Sequence, residues 1–255
     1  MSILYRFKRH PIPMSAMFRH SLVLTYAYPE HVLQPLLEPG LMLDTFNGFG
    51  FLAVALVDTQ AMRPRGLPSA CGLDSHLAGY RIFTRLTEAP SIRGLRILRS
   101  DTDRWPIKWC GNLLTHYQYR LSRIGVEQRP GAVRWTIETA DHAADLDVTA
   151  DLSASPPPPA APPFRDWKEA RRFAGPLPYT FDYEPETNSI IRIEAVRRDW
   201  TPRPVPVVVD RCTFLEQARF SGATPVLASA FYVPSMPYSW NRGERLVSTA
   251  RRLER

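Results

Sequence analysis

Three lysines, Lys8, Lys108 and Lys168, stand among 29 arginines in this 255-residue chain. Any chemistry that needs a neutral amine therefore has three places to occur. An amine becomes an imine-forming nucleophile when burial or a neighbouring cation lowers its pKa. Lys108 is the lysine set among other reactive side chains, in the stretch 101–120, DTDRWPIKWCGNLLTHYQYR. Asp101 and Asp103 precede it with the spacing that puts two carboxylates on one face of an extended chain, as paired acid–base work or a hard cation requires. They would equally suit the positive end of a helix that follows. His116 lies beyond it. His116, Asp101 and Lys108 are the candidate acid, base and nucleophile, and none sits in a recognised motif.

Binding chemistry is suggested by Arg81, which shares a strand face with Phe83 and Arg85. A guanidinium on such a face can hold a carboxylate through two parallel hydrogen bonds, although an exposed strand arginine reads the same way. His76 follows Asp74 by two residues in a Gly/Pro-rich loop, but two ligands do not make a metal site. The other histidines, His10, His20, His31, His116 and His142, show no H-E-x-x-H spacing. No G-x-S-x-G elbow, phosphate loop or dinucleotide fingerprint is present, and the glycines of 47–50 are explained by a hairpin turn. We expect no metal and no cofactor.

The elements that must position these groups are mostly strands. Pro106 suits a first helical turn. Ile107, Trp109, Cys110, Leu113, Leu114 and Tyr117 fall on one arc at 100° per residue, with Lys108, Asn112 and Thr115 opposite, which predicts an amphipathic helix over 106–117. A first strand is predicted at 21–28 after an irregular basic segment. A hairpin is predicted from 41–46 and 49–58 around Asn47-Gly48, whose turn needs positive φ. Ala53 and Ala55 on the second of these strands leave room for something to approach. A long loop is expected at 61–79, with further strands at 80–87, 94–100, 119–124, 131–138 and 145–152. Residues 153–163, SASPPPPAAPP, form a stiff surface connection or a ligand for a proline-reading partner. Asp166 and Glu169 have the spacing of a capping box for a second helix, closed by Gly175-Pro176. Strands resume from 179 to 233, and the tail 240–255 is helical at best. The whole is one β-rich α+β domain over 1–255, with a Pro-rich loop at 153–163.

A net charge of +7 and a pI near 9.6 raise the question of an anionic partner. The arginines are dispersed singly or in pairs among acids, so nucleic acid is not expected as a partner. The longest apolar run, 51–57, is too short to span a membrane, and the N-terminus lacks the apolar core of a signal peptide, so a cytoplasmic location is expected. Cys71, Cys110 and Cys212 are odd in number and widely spaced, which fits neither a disulfide framework nor a C-x-x-C pair.

The segments PEHVLQPLLEPGLMLDTFNG, MRPRGLP, GYRIFTRL, RSDTD and DWTPRPV together resemble the YqjF-like uncharacterised family of the acetoacetate decarboxylase-like superfamily, over about residues 21–238. The resemblance implies a bent, closed or nearly closed antiparallel β-barrel with a few flanking helices and a small-molecule cavity. In the decarboxylase branch a Schiff-base lysine follows a Gly-aromatic-Pro turn. The matching stretch here is 115–120, where Gln118 stands in its place, and no lysine lies between Lys108 and Lys168. We therefore expect a small-molecule-binding protein without the imine lysine, open to forming a homo-oligomer. Its ligand would be held by Arg81, Phe83, His116, Gln118 and Arg120, with Arg65 on a possible lid. The alternative is a lyase or isomerase acting on a small carboxylate or aromatic metabolite without an imine, so whether the chain is an enzyme stays open.

Overall fold

The computed structural model describes residues 3–159, 162–175, 177–197 and 200–247. Its strands are β1 (Met14–Pro29), β2 (Leu41–Leu43), β3 (Phe49–Pro64), β4 (Leu73–Leu86), β5 (Arg93–Thr102), β6 (Tyr119–Arg129), β7 (Ala132–Thr139) and β8 (Leu146–Asp151). They continue as β9 (Tyr179–Glu184), β10 (Ser189–Arg197), β11 (Arg203–Pro204), β12 (Val207–Cys212), β13 (Val226–Val233), β14 (Met236–Trp240) and β15 (Glu244–Val247). Among the described residues three α-helices are interspersed, α1 (Glu30–Leu33), α2 (Trp105–Leu114) and α3 (Trp167–Phe173). None of the described helices is long and apolar enough to cross a membrane.

The strands close on themselves in the order β5–β9–β10–β14–β1–β3–β4 and back to β5. This mostly β ring fits the fold class read from the sequence. It branches at β5, which also pairs with β6, and the β5–β6 and β5–β9 pairs are parallel while the others in the ring are antiparallel. From the branch, β6, β7, β8 and β12 run as an antiparallel meander.

Alternation along β1, β3 and β4 gives that wall two different faces. On the outer face Leu22, Leu24, Val54, Leu56, Tyr80 and Ile82 pack with Trp135, Ile137, Leu146, Val148, Phe214 and Phe220 of the meander and its continuation. This is the main core. The inner face carries Val23, Ala53, Ala55, Val57, Gly79, Arg81 and Phe83 and encloses a cavity. α3 closes one side of that cavity: Phe164, Ala170 and Phe173 pack on Phe51 and Phe83. Asp166 caps the helix, accepting from the Glu169 N–H at 2.7 Å.

Several local expectations are corrected. The first strand begins at Met14, seven residues before the predicted start, because register shifts near Ser15 and Phe18 break its alternation. Those shifts turn Phe18 into the cavity and leave His20 on the outer face against Trp135. Asn47 and Gly48 do form a left-handed turn, with φ of 50° and 79°. Yet the turn joins only Phe46 to Phe49; β2 pairs with β4 instead of β3, since β1 and β4 occupy both edges of β3. The loop predicted at 61–79 shortens because β3 runs to Pro64 and β4 starts at Leu73. On α2, Ile107 is the buried member of the predicted apolar arc, whereas Trp109 is 64% exposed and Leu113 43%. The tail expected to be helical contributes strand β15 on β10, and its residues 248–255 lie outside the described residues. Ala160 and Ala161 of the Pro-rich segment, and Pro176 after α3, also lie outside them.

Trp135 is fully buried between the ring wall and the meander, against His20 and His76. Trp135→Ala should cost about 3–5 kcal/mol, the usual penalty for emptying a large aromatic site. The shift of the urea unfolding midpoint measures it.

Candidate functional site

The cavity inside the ring has a volume of about 130 Å³, near the ~150 Å³ of an apolar cavity known to admit a benzene-sized guest. Its room comes from small side chains: Ala53 and Ala55 on β3 and Gly79 on β4 face Phe83, Ile97, Trp200 and Trp240. Gly79 has a specific part. A Cβ built there would lie 2.8 Å from Arg81 Nε and 2.9 Å from its Nη2, so the missing side chain is what lets the guanidinium lie back along its own strand.

Arg81 is half-buried, and its Nε has no hydrogen-bond partner. No carboxylate lines the cavity among the described residues. Nearby arginines are in the opposite situation. Arg85 and Arg93 each bond buried Asp44 at 2.5 Å, Arg96 bonds Glu38 and Asp182, and Arg99 bonds Asp101 and Asp141. A guanidinium set among aromatic and aliphatic walls with no carboxylate in the described lining keeps donors free for an anionic partner.

Two tyrosines complete the polar lining. Burial holds the Tyr117 phenol well above its ordinary pKa, with Asp182 adding to the effect and Arg81 opposing it. Tyr119 is pushed up to about 12 by burial, again against the pull of Arg81. Both therefore keep their protons at neutral pH and can donate. The Tyr117 hydroxyl is buried, with the Thr180 side chain beside it in the cavity wall.

α2 is what seats these rings. Asn112 brackets the Tyr119 backbone, its Nδ2 donating to the carbonyl at 2.9 Å and its Oδ1 accepting from the N–H at 2.8 Å. The Tyr119 ring lies over Gly111, where a Cβ would stand 2.3 Å from Cδ2. Gln118, in the left-handed region at φ 53°, turns the chain between the two tyrosines.

The residues singled out from sequence separate into groups. Arg81 and Phe83 line the cavity. His116 does not: its backbone N–H donates to Asp182 at 2.8 Å, and its buried Nε2 has no partner. Gln118 is exposed, and exposed Arg120 pairs with Asp141. The wall expected from 116–120 is thus made by the intervening Tyr117 and Tyr119. Asp101 is fully buried on the opposite side of β5, accepting from Arg99 and from Ser122. Asp103 is held separately by His76, whose Nδ1 is 2.9 Å from it. Among the described residues no group of three could hold a metal. Lys108 and Lys168 are exposed, Lys8 is half-buried, and none of the three lines the cavity. Arg65 lies in a separate outer cleft, donating to Asn241 Oδ1 at 2.8 Å. Tyr117, Tyr119, Gly79 and the Arg197–Tyr238 pair were not singled out. The alternation of Tyr117 and Tyr119 is the available signal, masked because Tyr117 also fits the apolar arc of the preceding helix, which ends at Leu114.

A ring of strands around such a cavity places the chain in the acetoacetate decarboxylase-like fold. An acetoacetate decarboxylase from Legionella pneumophila matches with a TM-score of 0.65 at 10% identity, covering 94% of this chain and 89% of that one. An acetoacetate decarboxylase-like enzyme from Sphingomonas wittichii gives 0.61 at 14% identity, covering 94% of both chains. The enduracididine biosynthesis enzyme MppR, complexed with a condensation product of pyruvate and imidazole 4-carboxaldehyde, gives 0.64 at 11%, covering 94% and 91%. At these identities the likeness is one of fold. No curated protein sequence matches significantly. By sequence, residues 15–237 match DUF2071, described as "Uncharacterized conserved protein (COG2071)", and the chain belongs to that family.

A tyrosine whose folded pKa is raised adds stability that is complete below its unfolded pKa and is lost as pH rises through the folded one. Tyr119, raised from 10.0 to about 12, should make the wild type lose stability across that window. Tyr119→Phe should flatten the slope, as urea midpoints measured at a series of alkaline pH values will show.

Proposed function

We propose that this protein binds a small carboxylate with an apolar or aromatic body, in the cavity and without forming an imine. The observation that carries the reading is Arg81, a partly buried guanidinium with no carboxylate partner, set in a cavity otherwise made of aromatic and small aliphatic side chains. Arg81 and Phe83 would grip the ligand, and Tyr117 and Tyr119 would donate to its oxygens. The absence of lysine from the described lining supports the non-imine part. Among proteins of the same fold, MppR is seen with pyruvate, itself a small carboxylate. The motifs around 29–48, 62–68 and 79–86 favour the YqjF-like branch within the family.

One observation favours the second reading, a lyase or isomerase. The Tyr117 hydroxyl, held protonated in the cavity beside Thr180, is suited to deliver a proton to a carbanion or enolate formed beside the Arg81-bound carboxylate. His116, Asp101 and Lys108 stand outside that cavity, so Tyr117 takes the acid role in this version.

Calorimetric titration with phenylpyruvate and phenylacetate tests the binding reading. Arg81→Met should weaken either by about ten- to a hundredfold, the worth of a charge-assisted pair; unchanged affinity overturns it. Borohydride added with phenylpyruvate should label no lysine, and a labelled Lys108 would restore the imine. Deuterium uptake at the ligand carbon next to the carbonyl, lost in Tyr117→Phe with binding kept, would favour the enzyme.

A further inference from the structure

Outside the inner cavity, across Arg197 and Tyr238, lies an open cleft of about 930 Å³. Arg197 and Tyr238 line both spaces, so one thin partition separates them. Its polar core is a pair of bonds: Arg197 Nη1 donates to the Tyr238 hydroxyl at 3.1 Å, and Nη2 donates to the Leu177 carbonyl.

The charge balance of the cleft is one-sided. Its charged lining is Arg63, Arg65, Arg197 and Asp74. Asp74 is taken up by Arg19 and by the Ala61 N–H at 2.9 Å. The three guanidiniums are fixed by neutral acceptors only. Arg63 donates to the carbonyls of Leu67 at 2.8 Å and Ala61 at 2.7 Å, and Arg65 to Asn241 Oδ1 at 2.8 Å and the Trp240 carbonyl at 3.3 Å. Arg197 bonds a carbonyl and a phenol. Most other arginines of the ring and meander lie against a carboxylate, as Arg19, Arg85, Arg93, Arg96, Arg99, Arg123 and Arg134 do. Those around these two adjoining spaces do not. Fixed cations whose charge the fold leaves uncompensated are arranged for an outside anion.

We propose that this cleft is a second anion subsite, and that the ligand is an elongated diacid with an apolar middle: one acidic group at Arg81 inside, the other at Arg63 and Arg65 outside. Arg197, the cation common to both spaces, swings between its Leu177–Tyr238 bonds and the ligand as the ligand threads the partition. The proposal rests on the carboxylate reading of the inner cavity and narrows its substrate class from one acidic group to two.

The test is calorimetric titration of the full chain with straight-chain dicarboxylates from glutarate to dodecanedioate, each against the monocarboxylate of equal length. One length should bind about tenfold tighter as the diacid than as the monoacid, the scale of one added charge-assisted pair. In the double variant Arg63→Ala/Arg65→Ala that diacid should fall to the level of its monocarboxylate measured on the same variant. A diacid advantage that survives the double variant, or no advantage at any length, overturns the proposal. Inorganic pyrophosphate separates the two sites. Pyrophosphate binding lost in the double variant but kept in Arg81→Met supports the outer subsite even if the inner reading fails, and pyrophosphate binding insensitive to the double variant counts against it. Circular dichroism on each variant confirms that the fold is intact.

Discussion

A guanidinium inside a ring of strands needs a reason to be there, and in this protein Arg81 sets the terms for what surrounds it. Holding the charge away from bulk water is costly unless something answers it. The structure answers in part by geometry: Gly79 lets the group lie along β4, Ala53 and Ala55 leave space in front of it, and protonated phenols from Tyr117 and Tyr119 stand nearby. What it does not provide is a carboxylate. That omission, beside buried Arg96 and Arg99, which each meet carboxylates, is the physical content of the proposed binding site.

The cost is carried by the opposite face of the same wall. Because successive residues of β1, β3 and β4 point to opposite sides, the sheet can be fully packed outside while it is hollow within. Outside, Trp135, Phe214 and Phe220 cover the apolar residues of the wall and form the largest core. The buried ion pairs act in the same direction at the edges of the ring. Asp44 ties β4 to β5 through Arg85 and Arg93, and Asp182 ties β9 to β5 through Arg96 and to the turn before β6 through the His116 N–H. Such pairs fix geometry more than they add stability, and the strand ends they fix are those that border the cavity.

α2 is positioned by the same logic. Its lysine, Lys108, is exposed, and so is most of its apolar arc, Trp109, Cys110 and Leu113. Its structural work lies in Gly111 and Asn112, one flat against the Tyr119 ring and the other clasping the Tyr119 backbone. A helix that looked like the carrier of a catalytic amine is instead the seat of a cavity tyrosine.

The sequence by itself determined the strand-rich composition, the two longer helices with their Pro and Asp starts, the shortage of lysine, the small residues at 53 and 55, and the shared face of Arg81 and Phe83. These are local properties, set by side-chain volume, alternation and capping chemistry within a few residues. The tertiary structure alone decided that β2 pairs with β4, that register shifts carry Phe18 inward, and that Tyr117 and Tyr119 face Arg81 while Gln118 and Arg120 face solvent. It also decided which arginines meet a carboxylate and which do not. Each of these depends on a partner far along the chain: Asp44 is 41 residues from Arg85, and Asp182 is 86 from Arg96. Periodicity reports which side of a strand a residue is on; only strand pairing reports what lies across from it.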